Sequence, residues 1–216
     1  MKEEGAAEAH QLFQRLDITA STGGRGSLIY GDAQGCINII DRDFKAQTWQ
    51  AYDHRVTHLK QLQRRNVIIS IGNDEELDPT IKVWHLDRRD KQGNPQLLQE
   101  LTLTRDKPVP VTCFAVTEQL SHIAVGLADG AVILIAGDIL RTRSPKQRVI
   151  RKPSGGLDYI TGLGFRERNQ TITLFCVTNS CVLSYSINDD GSEVRLNELD
   201  SDKGAELHCV CLNSSN

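Results

Sequence analysis

No apolar run in this 216-residue chain approaches the eighteen or so residues that a membrane-spanning helix needs. The first residues, Met1 to His10, carry Glu3, Glu4 and Glu8 and no apolar block, which is not the pattern of a secretory signal. Neither sign of charge dominates. Lys plus Arg number 25 against 28 Asp plus Glu, and a net charge of −3 sets up no field that would draw nucleic acid or a membrane surface. Of the cysteines, Cys36, Cys113, Cys176 and Cys181 sit in apolar runs, as small hydrophobes do, and nothing signals an oxidising compartment. Cys209-x-Cys211 would put two thiols on one face of a strand, but no second pair or spaced histidine completes a zinc set. The expectation is a cytosolic chain with free thiols and no cofactor.

Signs of catalysis are missing as well. Ser, His and Asp are plentiful, yet none lies in a nucleophile-elbow sequence. Gly23-Gly24-Arg25-Gly26 lacks the lysine and the following helix of a phosphate loop. His54 and His58 are four apart on a loop-to-strand segment, where they need not converge on a metal. The chain therefore reads as a non-enzyme. Helical periodicity is absent after residue 16, and only residues 1–16, with Leu12, Phe13 and Leu16 on one side, could form a short helix or a loose tail.

What is present is a repeated phrase. A β-branched residue followed by threonine opens a short alternating strand at Ile18-Thr19, Val56-Thr57, Val111-Thr112 and Ile160-Thr161, with a degraded copy at Leu207-His208. An apolar run broken by a tight turn follows most of them. The turns are Gly31-Asp32-Ala33-Gln34-Gly35, Gly72-Asn73-Asp74, Gly126-Leu127-Ala128-Asp129-Gly130 and Thr178-Asn179-Ser180. The phrases are spaced by about 38, 55, 49 and 47 residues, near the period of a propeller blade with insertions. Each unit then reads as one four-stranded sheet, which must stack on its neighbours to cover both faces.

The expected fold is an all-β, WD40-like β-propeller of about four blades plus the first strand of a fifth, Glu206 to Leu212. Residues 17–212 form this partial propeller, after a segment 1–16 and before a tail 213–216. Two arrangements fit, a closed four-bladed ring or a piece of a larger propeller with one uncovered edge, which would make the isolated chain marginal.

Three stretches stand out within the units. Ile81-Lys82-Val83-Trp84-His85-Leu86 resembles the end of a WD40 repeat, with His85 where aspartate is usual, and Trp84 is expected to fill the wedge between sheets. Asp74-Glu75-Glu76-Leu77-Asp78 lacks the ligand spacing of a calcium loop and reads as a solvated, enlarged hairpin turn. Arg141, Arg143, Lys146, Arg148, Arg151 and Lys152 fall within twelve residues with no acid among them. They form either a solvated blade loop or a contact for an acidic partner or anionic lipid. Ser144-Pro145 in the same loop fits a proline-directed phosphorylation site.

Several strings carry a family resemblance. They are Gly24-Arg25-Gly26-Ser27-Leu28-Ile29-Tyr30-Gly31-Asp32, Arg55-Val56-Thr57-His58-Leu59, Asn73-Asp74-Glu75-Glu76 and Ile81-Lys82-Val83-Trp84-His85-Leu86-Asp87-Arg88-Arg89-Asp90. Gly93-Asn94-Pro95, Val125-Gly126-Leu127-Ala128-Asp129-Gly130, Gly137-Asp138-Ile139 and Ile160-Thr161-Gly162-Leu163 continue them in order. Together they are similar to the vacuolar protein sorting-associated protein 11 family, over about residues 17–212. The resemblance implies a core subunit of the class C complexes HOPS and CORVET, with an N-terminal propeller, an α-solenoid and a RING-type zinc domain. This chain matches only the front of the propeller, so no zinc or ubiquitin-ligase chemistry carries over. Implied with it are a scaffold role in tethering and fusion at endosomes and lysosomes or vacuoles, and partners among the other class C subunits. Contact with small GTPases and SNAREs would run through the complex, as would peripheral attachment to late endosomal and lysosomal membranes. A different class of function, a self-contained four-bladed propeller with a ligand or enzyme site at its central channel, would require convergent polar residues at the channel mouth.

Overall fold

The structure is a computed structural model that describes residues 17–74, 78–103, 105, 107–141, 145–155, 158–168, 171–188, 194–200 (backbone only at 195–200) and 203–211. The segment 1–16 and the tail 213–216 lie outside the described residues. The described chain is all-β and divides into two compact units, residues 1–108 and 109–216.

Unit 1 holds two antiparallel four-stranded sheets. The first is β1 (Ile18–Gly24), β2 (Ser27–Asp32), β3 (Cys36–Ile40) and β4 (Ala46–Gln50), and the second β5 (Val56–Gln61), β6 (Val67–Asn73), β7 (Pro79–Arg89) and β8 (Pro95–Thr102). Unit 2 repeats the plan. One sheet is β9 (Val111–Val116), β10 (His122–Leu127), β11 (Val132–Ala136) and β12 (Lys146–Arg151), the other β13 (Ile160–Arg168), β14 (Thr171–Thr178), β15 (Val182–Ile187) and β16 (Val194–Asp200). In every sheet the strands lie side by side in chain order, so each is a meander of hairpins.

The structure explains the repeated threonine. In each sheet the pairing of the first two strands slips by one residue, and the extra residue is Thr19, Thr57, Thr112 or Thr161. An extra residue breaks the ladder locally and leaves a carbonyl short of a donor. The threonine hydroxyl supplies one. Thr57 donates to Ile71 O at 3.1 Å, Thr112 to Gly126 O at 3.2 Å and Thr161 to Val177 O at 3.2 Å. Thr19 lies 3.3 Å from Gly31 O and 2.5 Å from Val56 O, the latter in the next sheet.

The turns rest on a second recurring device, a short oxygen-bearing side chain that takes the N–H groups of the loop it opens. Asp32 Oδ1 accepts from Gln34 and Cys36, at 3.0 and 2.8 Å. Asp41, Asp90, Asp129, Thr117 and Thr178 serve other hairpins in the same way.

Each unit is held by apolar packing between its two sheets. In unit 1, Ile29, Ile37 and Trp49 meet Val56, Leu59, Ile68 and Trp84. The Trp49 and Trp84 rings pack edge to face, with centroids 5.8 Å apart at 67°. Trp84 thus fills the wedge between sheets as its place in the repeat predicts. In unit 2, Ala124, Val132 and Leu134 meet Ile160, Leu174, Cys176 and Tyr185. Backbone approach is close. A Cβ on Gly31 would sit 2.5 Å from Val56 Cβ, so glycine lets β2 lie directly against the residue that opens the next sheet.

Two expectations need correction. Leu207 and His208 form a turn, His208 has φ 65°, and Cys209, Val210 and Cys211 carry no strand, while Leu212 lies outside the described residues. The first strand of a fifth unit is therefore not formed over 206–211, and the two thiols do not share a strand face. A strand needs a ladder neighbour, and none pairs with this segment among the described residues. It is held from one side instead. Ala205 N–H donates to Thr178 O at 3.0 Å, the Tyr159 hydroxyl donates to Glu206 at 3.0 Å, and Val210 occupies the space above Gly162. The second correction concerns the basic loop. It gives way to strand β12 from Lys146 onward, because long cationic side chains on an outer strand hide its period-two pattern.

Candidate functional site

A cleft of about 440 Å³ opens at one end of the second sheet of unit 1. Its walls come from the β4–β5 connection (Ala51, Tyr52, Asp53), the β6–β7 turn (Asp74, Asp78), the start of β7 (Thr80, Lys82) and the end of β8 (Glu100, Thr102). Lys82 sits at its floor, only 9% exposed. Its ammonium donates to Ala51 O at 2.9 Å and meets Asp74 at 2.8 Å, with Glu100 at 4.0 Å. It also stands 4.5 Å over the Tyr52 ring, a favourable place for a cation.

Below lies a saturated hydroxyl network. The Tyr52 hydroxyl is 2.8 Å from Ser70 Oγ, the Trp84 indole N–H donates to the same oxygen at 2.9 Å, and Ser70 donates to Lys82 O at 3.3 Å. Burial above all pushes the Tyr52 phenol far up, so it stays neutral. A lysine bound on several sides and a phenol that cannot ionise join three segments of unit 1 and offer no nucleophile–base pair. The acidic stretch contributes Asp74 as an inward partner of Lys82, while residues 75–77 lie outside the described ones. His54 and His58 are not brought together on a metal. The His58 ring lies 3.0 Å from Thr57 Oγ1, and no group of three or more His, Cys, Asp or Glu among the described residues could hold an ion.

The basic stretch resolves into separate parts. Arg141 is exposed and pairs with Asp138 at 3.6 Å, a contact of little energy in water. Arg143 lies outside the described residues. Lys146 and Arg148 are exposed on β12, and Lys152 just beyond it. Arg151 turns inward. Its guanidinium bonds Gly130 O and the Asp158 carboxylate, whose other oxygen accepts from Ser180 Oγ at 2.7 Å. This ties the β10–β11 turn of one sheet to the β14–β15 turn of the next. Nothing local in the sequence marks Asp158 as the partner of Arg151, since the chain must fold back between them.

Burial alone would raise the Asp158 carboxyl. Hydrogen bonds from Thr178 and Ser180 and the Arg151 charge overcome it and hold the group below the usual carboxylate range. A depressed folded-state pKa stabilises fully above the unfolded value of about 3.9 and is lost as pH falls through the folded one. Asp158→Asn is therefore expected to cost about 2 kcal/mol at neutral pH, the scale of charge-assisted hydrogen bonds. The difference from wild type should persist from pH 7 to pH 5 and shrink as pH falls below about 4. Urea denaturation of both proteins across that range measures it. A gap that stays constant into strong acid contradicts the assignment.

Two of the inner thiols are inert. Cys113 and Cys176 are pushed up to about 12, chiefly by burial, so neither is a thiolate at neutral pH.

Four-stranded meanders repeated along the chain, each opened by a threonine bulge and packed face to face within a unit, define the β-propeller class. The β-propeller domain of Cps50 (Swd1) from Myceliophteria thermophila matches with a TM-score of 0.62, over 86% of this chain and 56% of that one. At 13% identity that likeness is one of fold alone. The chain belongs to the PEP5/VPS11 N-terminal family, whose model matches residues 1–216. The vacuolar protein sorting-associated protein 11 homologues of Dictyostelium discoideum and Homo sapiens are each 39% identical to it, over 95% and 96% of this chain. The Arabidopsis thaliana homologue is 32% identical over 79% of the chain. The chain spans about a fifth of these relatives, 21%, 22% and 20% of their lengths.

Proposed function

We propose that this chain is a non-enzymatic interaction scaffold, the propeller portion of a subunit of the HOPS and CORVET tethering complexes. It acts in vesicle tethering and fusion at endosomes and lysosomes or vacuoles, and it reaches those membranes as a peripheral component of the complex. Its partners are the other class C vacuolar sorting subunits, with small GTPases and SNAREs met through the assembly. The observation that carries this reading is the match of the family model from residue 1 to residue 216. The local chemistry supports it, because Lys82 and Arg151 are engaged in joining segments of the fold rather than aimed at a substrate.

The test is co-purification. The tagged chain, expressed in cells and isolated under mild conditions, is expected to recover other class C subunits identified by mass spectrometry. Recovery of none of them, while a tagged full-length relative recovers the set under the same conditions, would remove the reading.

A further inference from the structure

One end of unit 1 is made of the hairpin tips that join β1 to β2, β3 to β4, β5 to β6 and β7 to β8. Side chains tie the tips together. Arg25 donates to Gln63 O at 3.1 Å, the Arg42 guanidinium lies against Gly26, and Gln47 bonds Gly93 O at 3.2 Å and Arg89 at 2.7 Å. Arg25, Arg42, Lys45, Arg88, Arg89 and Lys91 are all exposed at this end. Arg25 and Arg89 bond neutral oxygens, and none of these cations pairs with a carboxylate among the described residues. Asp41, Asp87 and Asp90 lie in the same hairpins with Oδ1 taken up by N–H groups, and Asp43 is exposed beside them. The end stays net positive even with Arg64 and Arg65 of the β5–β6 tip left aside. The other end of the same strands is acidic, with Asp53, Asp74, Asp78 and Glu100 around the cleft. A whole-chain charge near zero hides this segregation. Salt screens charges over about 8 Å, less than the length of these strands, so each end acts on its own surroundings.

Phe44 stands among these cations, on the β3–β4 tip between Arg42 and Lys45. It is 46% exposed and has φ 59°. Backbone bonds from Phe44 N–H to Asp41 O and from Asp41 N–H to Lys45 O close the turn around it. The left-handed region suits glycine or asparagine and disfavours a bulky residue, and an exposed ring adds little to the core. Neither backbone preference nor packing accounts for phenylalanine here, and such an outlier points to a role outside the fold. We propose that this end of unit 1 docks on an anionic membrane surface, with the cations of three tips meeting lipid head groups and the Phe44 ring entering the boundary between head groups and acyl chains. A plane of head groups meets all three tips at once, whereas an extended acidic peptide follows a single line across them. The scaffold reading has membranes met through the complex, and to that this adds a lipid contact made by the chain itself.

The test is flotation of the whole chain with lipid vesicles. Vesicles of equal parts phosphatidylserine and phosphatidylcholine are expected to carry the chain, less so as salt rises, and vesicles of phosphatidylcholine alone are not. An Arg42→Gln, Lys45→Gln variant should bind at least about tenfold more weakly, since each cation near an anionic surface is worth about fivefold. An Arg88→Gln, Lys91→Gln variant, on a separate hairpin, should lose binding as well. Arg55→Glu changes the net charge by the same amount, but at the acidic end, and should bind like the parent. Phe44→Asn relieves the backbone, so its melting temperature should equal or exceed the parent's while its vesicle binding falls. All these side chains are exposed, so circular dichroism of the variants should match the parent.

The proposal is overturned if the anionic vesicles fail to carry the chain, if either double variant or Phe44→Asn binds as well as the parent, or if Arg55→Glu loses as much as they do. It is also overturned if a glutamate-rich peptide binds the parent and not the double variants while the vesicles do not bind, which would make the surface a protein contact. The assay needs no other subunit, so failed co-purification and failed vesicle binding are separate results.

Discussion

Replacing Trp84 by alanine is expected to destabilise unit 1 by about 3–5 kcal/mol, the range for deleting a large buried aromatic. The ring is 6% exposed, packs edge to face on Trp49 across two sheets, and donates its indole N–H to Ser70. Truncation opens a cavity in the seam between the sheets and takes one donor from a shared oxygen. A domain has only about 5–15 kcal/mol of net stability, so the loss should be large in a denaturant titration. Trp84→Phe separates the two contributions, because it keeps most of the packing and loses the hydrogen bond. Its expected cost lies between wild type and alanine. An unchanged midpoint for the alanine variant would show that the seam does not depend on this ring.

Gly35→Ala is the second large effect. Gly35 has φ 87°, and a Cβ there would lie 2.1 Å from Tyr52 O and 2.2 Å from His54 O. Its own carbonyl accepts the N–H groups of Ala51 and Tyr52, so the turn and the β4–β5 connection are locked to each other. A side chain therefore faces a left-handed backbone, at about 1–2 kcal/mol, and a clash with main chain that cannot swing aside, at about 1–3 kcal/mol. Gly93 supplies the control. Its φ is 86°, yet a Cβ there meets nothing within 4 Å. Gly93→Ala should cost only the backbone share. Thermal melts of the two variants should thus differ clearly, with the Gly35 variant the less stable. Equal melting temperatures would mean that the connection is looser than its contacts indicate.

The strands, most of the tight turns and the Trp84 seam were legible in the sequence because each leaves a local mark: period two, a cluster of Gly, Asp and Asn, a large ring at the end of a repeat. The threonine phrase was visible too, but its reason was not. An extra residue in a ladder appears only when two strands are laid side by side, as at Thr57 between Val56 and His58. The Lys82 and Arg151 contacts were hidden for a related reason. Their partners, Ala51 and Asp158, are brought in by turns whose geometry residue types do not state. The segment 206–211 shows the opposite failure. Alternation there was legible and still made no strand, because pattern supplies a face and only a neighbour supplies hydrogen bonds.

The threonine bulges also bear on how this sequence tolerates change in length. Each sheet carries one such bulge between its first two strands, so residues added in the later hairpins leave that pairing untouched. Doubling the length of a flexible loop costs only about 0.6 kcal/mol in closure entropy. The openings at Ile18, Val56, Val111 and Ile160 are unevenly spaced, yet all four sheets keep the same strand order. The repeat is counted from anchor to anchor rather than in residues, which makes the hairpins beyond each anchor the natural sites for insertion, epitope tags or grafted binding loops.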